Sequence, residues 1–181
     1  MTESAGPTAA LLRPFVPADG GDVLTAFDDP TMRRQGTVTT LEEARRWVTA
    51  MTARHDDRHV FAVDVCGVAV GAVGITAIDA TNRTGWFWYW MGRAHRGLGL
   101  TSRAASTLAT WALREAGLER LELGHRATNP ASGAVARAAG FVREGVERGK
   151  FLIDGARVDV VTYGRLVTDP TPSTPTLPLH R

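Results

Sequence analysis

Residues 96–101 read Arg-Gly-Leu-Gly-Leu-Thr and stand between an aromatic run, Trp86 to Met91, and an amphipathic stretch that continues to Ala116. Strand, glycine loop and helix in that order make an anion site, because the first N–H groups of a helix lack intrahelical partners and carry the positive end of its dipole. Phosphate oxygens suit that place. Gly97 and Gly99 accept positive φ and have no Cβ, so the backbone from Gly97 through Leu98, Gly99 and Leu100 to Thr101 can wrap around a pyrophosphate. Arg93, His95 and Arg96 add positive charge beside it. Read alone, the segment is equally an ordinary strand-to-helix turn with two glycines, and its flanks must decide.

Two better-known glycine loops are excluded. No Gly-Lys-Ser/Thr is present for a nucleotide-hydrolysing P-loop, and counting Gly97-x-Gly99-x-x places Ser102 where a dinucleotide fold wants its third glycine. The remaining pattern resembles the Arg/Gln-x-x-Gly-x-Gly/Ala loop of the GNAT superfamily of acetyl-CoA-dependent N-acyltransferases, matched at Arg96, Gly99 and, imperfectly, Thr101. The Thr101 side chain stands where that pattern wants almost none, and could either crowd a phosphate or donate a hydroxyl to it. A second block, Asn129-Pro130-Ala131-Ser132, then Ala139-Gly140-Phe141 and Glu144-Gly145, resembles the branch of the superfamily that contains the ribosomal-protein N-terminal acetyltransferases (RimJ/RimL-like). Asp154-Gly155, Asp159, Tyr163 and Leu166 continue the likeness, which spans Leu11 to Asp169.

The resemblance implies a fold, a cofactor and a chemistry. The cofactor is acetyl-CoA, flanked by Trp90, Met91, the loop Arg96, Gly97, Leu98, Gly99, Leu100 and Thr101, and by Asn129 and Ser132, with the Asn129 amide near the pantetheine arm and the Ser132 hydroxyl near the sulfur. The reaction is direct attack of a neutral amine on the thioester. A backbone N–H near Met91 would stabilise the oxyanion, and Ser132 is the candidate acid for the leaving thiolate. As an N-cap and a first-turn residue, Asn129 and Ser132 also have purely structural roles. Members of this branch carry a glutamate shortly after the Glu-Gly element, where this chain has Lys150 and Phe151, with Glu147 and Asp154 the nearest acids. His125, with a reference pKa of about 6.5, and Glu122 are the candidate bases. Bulk water is the alternative, because a free N-terminal amine with a pKa near 8 is already partly neutral. The alternative to an enzyme is a non-catalytic acyl-CoA-binding protein on the same fold.

These residues need elements to hold them. Ala9–Phe15 is apolar and strand-like, and Asp19–Asp28 carries apolar residues at helical spacing. Thr40-x-x-Glu43 is a capping box that opens a helix to Arg54. Pro30–Thr39 between them is polar and irregular, a connector or the border of a cleft. His59–Val65 and Val68–Ile78 form a hairpin around Cys66-Gly67. Thr84–Met91 is a fourth strand with Trp86, Trp88 and Trp90 on one face and Phe87, Tyr89 and Met91 on the other, so both faces are expected to be largely covered. Core packing outweighs a substrate wall for the tryptophans. The helix after the glycine loop stops at Gly117, and Leu118–His125 must run parallel to the fourth strand after such a crossover. Asn129-Pro130 starts a helix to Ala139, and Phe141–Val146 and Arg157–Val167 are the last strands. The expectation is an α/β (α+β) GNAT fold: a mixed, mostly antiparallel sheet of about seven strands with one parallel strand-helix-strand unit and flanking helices. Residues 1–8 read as a loose leader, 9–167 as one domain, and the Pro/Thr-rich 168–181 as a disordered tail.

With 181 residues, 44% hydrophobic and 22% charged, the chain suits one domain with a sizeable core. A formal charge of +2 argues against a nucleic-acid stripe. Cys66 is the only cysteine, which excludes an intrachain disulfide and a cysteine-cluster metal site. No stretch approaches the roughly 20 apolar residues of a membrane span, and Met1–Ala10 lacks the pattern of a secretion signal. A cytoplasmic enzyme is expected, with a small-molecule amine or a protein N-terminus as acceptor, no nucleic-acid or membrane partner, and a homodimer among the open oligomeric states. Asp28, Asp29, Glu42 and Glu43 are either helix-end charges or a site for a cationic acceptor.

Overall fold

The computed structural model describes residues 10–53 and 55–181, apart from the side chains of Arg33 and Arg34. The leader expected over residues 1–8 lies outside the described residues. Seven strands, β1 (Ala10–Arg13), β2 (His59–Val65), β3 (Val68–Asp79), β4 (Thr84–Met91), β5 (Arg120–Arg126), β6 (Val142–Ile153) and β7 (Ala156–Leu166), form one sheet in the order β1-β2-β3-β4-β5-β7-β6. Every neighbouring pair is antiparallel except β4 and β5. The helices are α1 (Gly20–Phe27), α2 (Leu41–Thr52), α3 (Leu100–Arg114) and α4 (Pro130–Ala138).

Local chemistry explains their starts. The Thr40 hydroxyl accepts the Glu43 N–H at 3.2 Å, while the Glu43 carboxylate accepts the Thr39 and Thr40 N–H groups at 2.7 and 3.1 Å. The Thr39 bonds hold Glu43 below the usual carboxylate range. Asp29 caps a 3-10 turn over Pro30–Arg34 by accepting the Thr31 N–H at 2.9 Å, so an ordered turn stands where an irregular connector was expected. Glu43 and Asp29 are thus helix-end charges.

The sheet is sandwiched. Leu12, Ile75, Phe87, Leu108, Leu121 and Tyr163 are packed together with α3 and α4 on one face, and Phe15, Val23, Phe27, Val48 and Trp90 with α1 and α2 on the other. The alternation expected along β4 is present, but coverage of its tryptophan face is not complete. Trp90 is buried against Phe27 and Trp47, Trp88 is half-buried, and Trp86 is 37% exposed, because α1 and α2 cover only the Trp90 end.

Residues 168–181 are packed rather than disordered. Leu177 is buried, its N–H donates to Thr107 Oγ1 at 2.7 Å, and the Leu12 N–H and C=O bond Pro178 O and His180 N at 2.8 Å each. The tail runs past α3 and lies along the outer edge of β1. Leu177 and Leu179 supply apolar anchors that a composition dominated by Pro and Thr conceals.

Candidate functional site

Strands β4 and β5 pair only from Thr84–Arg120 to Trp86–Glu122. Beyond that, β4 stays with β3 as far as Met91 and β5 with β7 as far as Arg126, so the sheet splits. Two cavities of about 520 and 450 Å³ fill the split and share Thr31, Gln35, Tyr89, Arg126, Asn129 and Ser132. One leads to Arg96, Gly97 and Thr101, the other to Trp86, Trp88 and the Phe151–Ile153 end of β6. They form one cleft through the sheet.

At the first end, Gly97 and Gly99 have φ of 79° and 74°. Gly99 is the N-cap of α3, and no side chain caps that helix. A Cβ on either glycine would meet nothing within 4 Å, so the space beside the loop backbone is open. The residues fit a pyrophosphate by backbone N–H groups rather than by side-chain charge. Arg96 is committed elsewhere: Nε donates to Met91 O at 2.8 Å, and Nη1 reaches Thr31 Oγ1 at 3.1 Å and Asp29 at 2.8 Å. It ties the end of β4 to the 3-10 turn. Together with the Thr31 N–H, it holds the Asp29 carboxyl below its ordinary range. Leu98 is exposed and Leu100 is buried under the sheet. Thr101 is half-buried on the cleft wall. Arg93 and His95, expected beside the loop's anion, instead line a separate cavity with Asp22 and Val68.

In the middle of the cleft the backbone of β4 is turned inward. The Gly92 N–H bonds Val70 O at 2.8 Å, so strand alternation turns the N–H and C=O of Met91 away from β3, toward the departed β5. The Met91 C=O is the acceptor for Arg96, which leaves its N–H facing the split. Across from it, Asn129 Oδ1 accepts the Ser132 N–H at 3.3 Å and starts α4 with Pro130 behind it. The Tyr89 hydroxyl donates to Ser132 O at 2.7 Å and lies 2.9 Å from Ser132 Oγ. Burial pushes the Tyr89 phenol up to about 12, so it stays protonated at neutral pH. Tyr89 was read from the sequence only as a covered strand residue. The signal available was its place three residues after Trp86, where β4 leaves β5.

The candidate bases separate. His125 faces α4: Nδ1 lies 2.8 Å from Arg126 O, and Nε2 is buried without a hydrogen-bond partner among the described residues. Burial, with Arg137 nearby, depresses its pKa, so it is neutral near pH 7. Glu122 lies on the opposite face of β5, paired with Arg120 at 2.9 Å, and lines neither cavity. The Trp90 ring belongs to the α1/α2 core, 5.5 Å from Phe27 and 5.9 Å from Trp47. Lys150 pairs with Glu147 at 2.5 Å, and among the described residues no aspartate or glutamate lines the cleft. Among the described residues no cluster of metal ligands occurs, and no helix is long and apolar enough to cross a membrane.

Known proteins share this fold. The family profile described as "Acetyltransferase (GNAT) domain" matches residues 10–142. The chain is 30% identical over 98 residues to the ribosomal-protein-serine acetyltransferase of Escherichia coli K12, a stretch covering 54% of this chain and 55% of that protein. The chain thus spans about half the length of that curated relative. Among solved structures, RimL, a ribosomal L7/L12 α-N-protein acetyltransferase in complex with coenzyme A, superposes with a TM-score of 0.76 at 24% identity, over 88% of this chain and 95% of that one. The ribosomal-protein-S5-alanine acetyltransferase of Vibrio fischeri gives 0.78 at 20% identity, over 91% and 96%. A sheet split after Trp86, an uncapped helix behind two left-handed glycines and a profile match across most of the domain agree: the chain belongs to the GNAT acetyltransferase family.

Proposed function

We propose that this protein is a cytoplasmic acetyl-CoA-dependent N-acetyltransferase acting on a primary amine, either a protein N-terminus or a small molecule. The observation that carries this reading is the continuous cleft with the Tyr89–Ser132 hydroxyl pair where its two halves meet. Acetyl-CoA, when bound, supplies an activated acyl group as a thioester. The glycine loop and the first N–H groups of α3 hold its pyrophosphate. The Met91 N–H donates to the carbonyl oxygen under attack. The Ser132 hydroxyl, set by Tyr89, protonates the departing sulfur and recovers its proton, through solvent in the cleft, from the attacking nitrogen as that nitrogen becomes an amide. The same hydroxyl pair favours transfer over mere acyl-CoA binding.

No residue need deprotonate the entering ammonium within the cleft. Arg126 and the lack of a carboxylate among the described lining residues disfavour a second cation there, which lowers the pKa of an entering ammonium. An α-amine near 8 is delivered neutral more readily than a lysine near 10.4. The relatives named above act on ribosomal proteins, which makes a protein N-terminus one acceptor to test. The test is thermal unfolding with acetyl-CoA, CoA or ATP, followed by release of free CoA thiol in the presence of amines. At 100 Kd a ligand stabilises by about 2.7 kcal/mol, which is roughly 5–10 °C for a chain of this size. A shift with both CoA species and not with ATP, with thiol release, is expected. No shift with either CoA species would overturn the assignment.

A further inference from the structure

The half of the cleft away from the glycine loop has a composition of its own. Trp86 is exposed and Trp88 half-buried on one wall, and Phe151 and Leu152, 44% and 64% exposed, stand on the other. Exposed aromatic and aliphatic groups gathered around one concavity mark a binding surface rather than unpacked core. Trp86 is held in place, with its ring edge against Gly124: a Cβ there would lie 3.1 Å from it. A ring so placed offers a preformed face.

Among the described residues, the charged side chain lining this half is Arg126. Arg126 is half-buried at the junction and has no acidic partner among the described residues. Lys150 stands 5.9 Å over the Trp86 ring at the rim, paired with Glu147. The nearby acids Glu122 and Glu144 are both engaged by Arg120, at 2.9 and 2.6 Å. A site for a polyamine or a lysine side chain would need a carboxylate facing the cavity to receive the second cation.

We infer that the acceptor is an amine attached to an aromatic or large apolar group and carrying no second positive charge, with that group lying between Trp86 and the Phe151–Leu152 end of β6. This deepens the acetyltransferase reading and rests on it for the direction in which the amine points. The apolar walls bind the side group, and Arg126 selects against cations by repulsion.

The test is a series sharing one α-amine, phenylalaninamide, leucinamide, alaninamide and lysinamide, with spermidine added, assayed by CoA thiol release in wild type and Trp86→Ala. The kcat/KM for phenylalaninamide should exceed that for alaninamide by about tenfold or more, with lysinamide and spermidine below alaninamide. In Trp86→Ala, the phenylalaninamide-to-alaninamide ratio should collapse to about threefold or less. Quenching of tryptophan fluorescence in the CoA complex by the same compounds reads binding without turnover and should give the same order. Lysinamide or spermidine equal to phenylalaninamide, an unchanged ratio in Trp86→Ala, or no aromatic preference in either readout would overturn the inference. Binding in the expected order with no turnover of any amine would overturn the transferase reading and leave this one standing.

Discussion

The Tyr89–Ser132 contact allows a prediction with numbers. Tyr89→Phe removes one atom and keeps the ring, which packs beside Phe87 at 6.3 Å. The deleted hydroxyl donates to Ser132 O and touches Ser132 Oγ. Losing one part-buried hydrogen bond, to a carbonyl that still serves α4, costs about 0.5–1.5 kcal/mol, or roughly 1–6 °C in melting temperature. The catalytic effect is separate: without its partner the Ser132 hydroxyl rotates freely, and kcat should fall about tenfold, some 1.4 kcal/mol in the barrier. Acetyl-CoA affinity should hold, because the glycine loop is untouched. Ser132→Ala keeps the backbone bonds to Tyr89 and Asn129, so it tests the hydroxyl alone. If both residues act through one proton donor, the double variant should lose little more kcat than Ser132→Ala. Calorimetry for affinity and initial rates for kcat decide it. Losses in kcat that simply multiply, or an unchanged kcat in Tyr89→Phe, would refute the reasoning.

Four further outcomes are expected. Gly99→Val forces a branched residue into a φ of 74° and fills the open space at the loop, so acetyl-CoA affinity should drop more than tenfold in calorimetry; equal affinity would remove the loop from the cofactor site. Gly133→Ala puts a Cβ 2.7 Å from His125 Nε2, costing about 1–3 kcal/mol in denaturant unfolding, and an unchanged midpoint would show that α4 yields freely. His125 and His59 both have pKa values depressed by burial, so the unfolded chain takes up protons first. Stability should therefore fall as pH drops from about 6.5 toward the lower folded values; His125→Asn should flatten that slope, and an identical slope in the variant would exclude His125 as its source. Leu177→Ala should cost about 2–4 kcal/mol if the tail is held as described, and a loss below about 0.5 kcal/mol would mean that it is not.

Local rules reached much of this fold. The Thr40–Glu43 box, the Asn129-Pro130 start of α4 and the period-two pattern of β4 each act within a few residues, and each appears in the structure at the expected place. The loop glycines were legible for the same reason: left-handed φ is a property of single residues. What escaped depends on distant partners. Tyr89 meets Ser132 across 43 positions, and alternation says which face a side chain takes but not what waits there. Trp86 and Trp90 share a face, and only the reach of α1 and α2 makes one core and the other a wall. Arg96 was read as charge beside the loop, and its bonds to Asp29 and Thr31 depend on a turn more than sixty positions away. The tail was misjudged because composition averages over the two leucines that anchor it.

That tail also imposes an order in time. Vectorial synthesis makes β1 first among the described strands and Leu177 about 165 residues after Leu12, so on the ribosome the outer edge of β1 waits for its cover. At typical elongation rates of 5–20 residues per second, the delay is on the order of ten to thirty seconds. For that interval the Leu12 N–H and C=O are an open template for any neighbouring strand, including that of a sister nascent chain on the same messenger. The closing segment is thus a late lock on the nascent protein, and its arrival marks the end of the window in which the chain is most prone to pair with the wrong one.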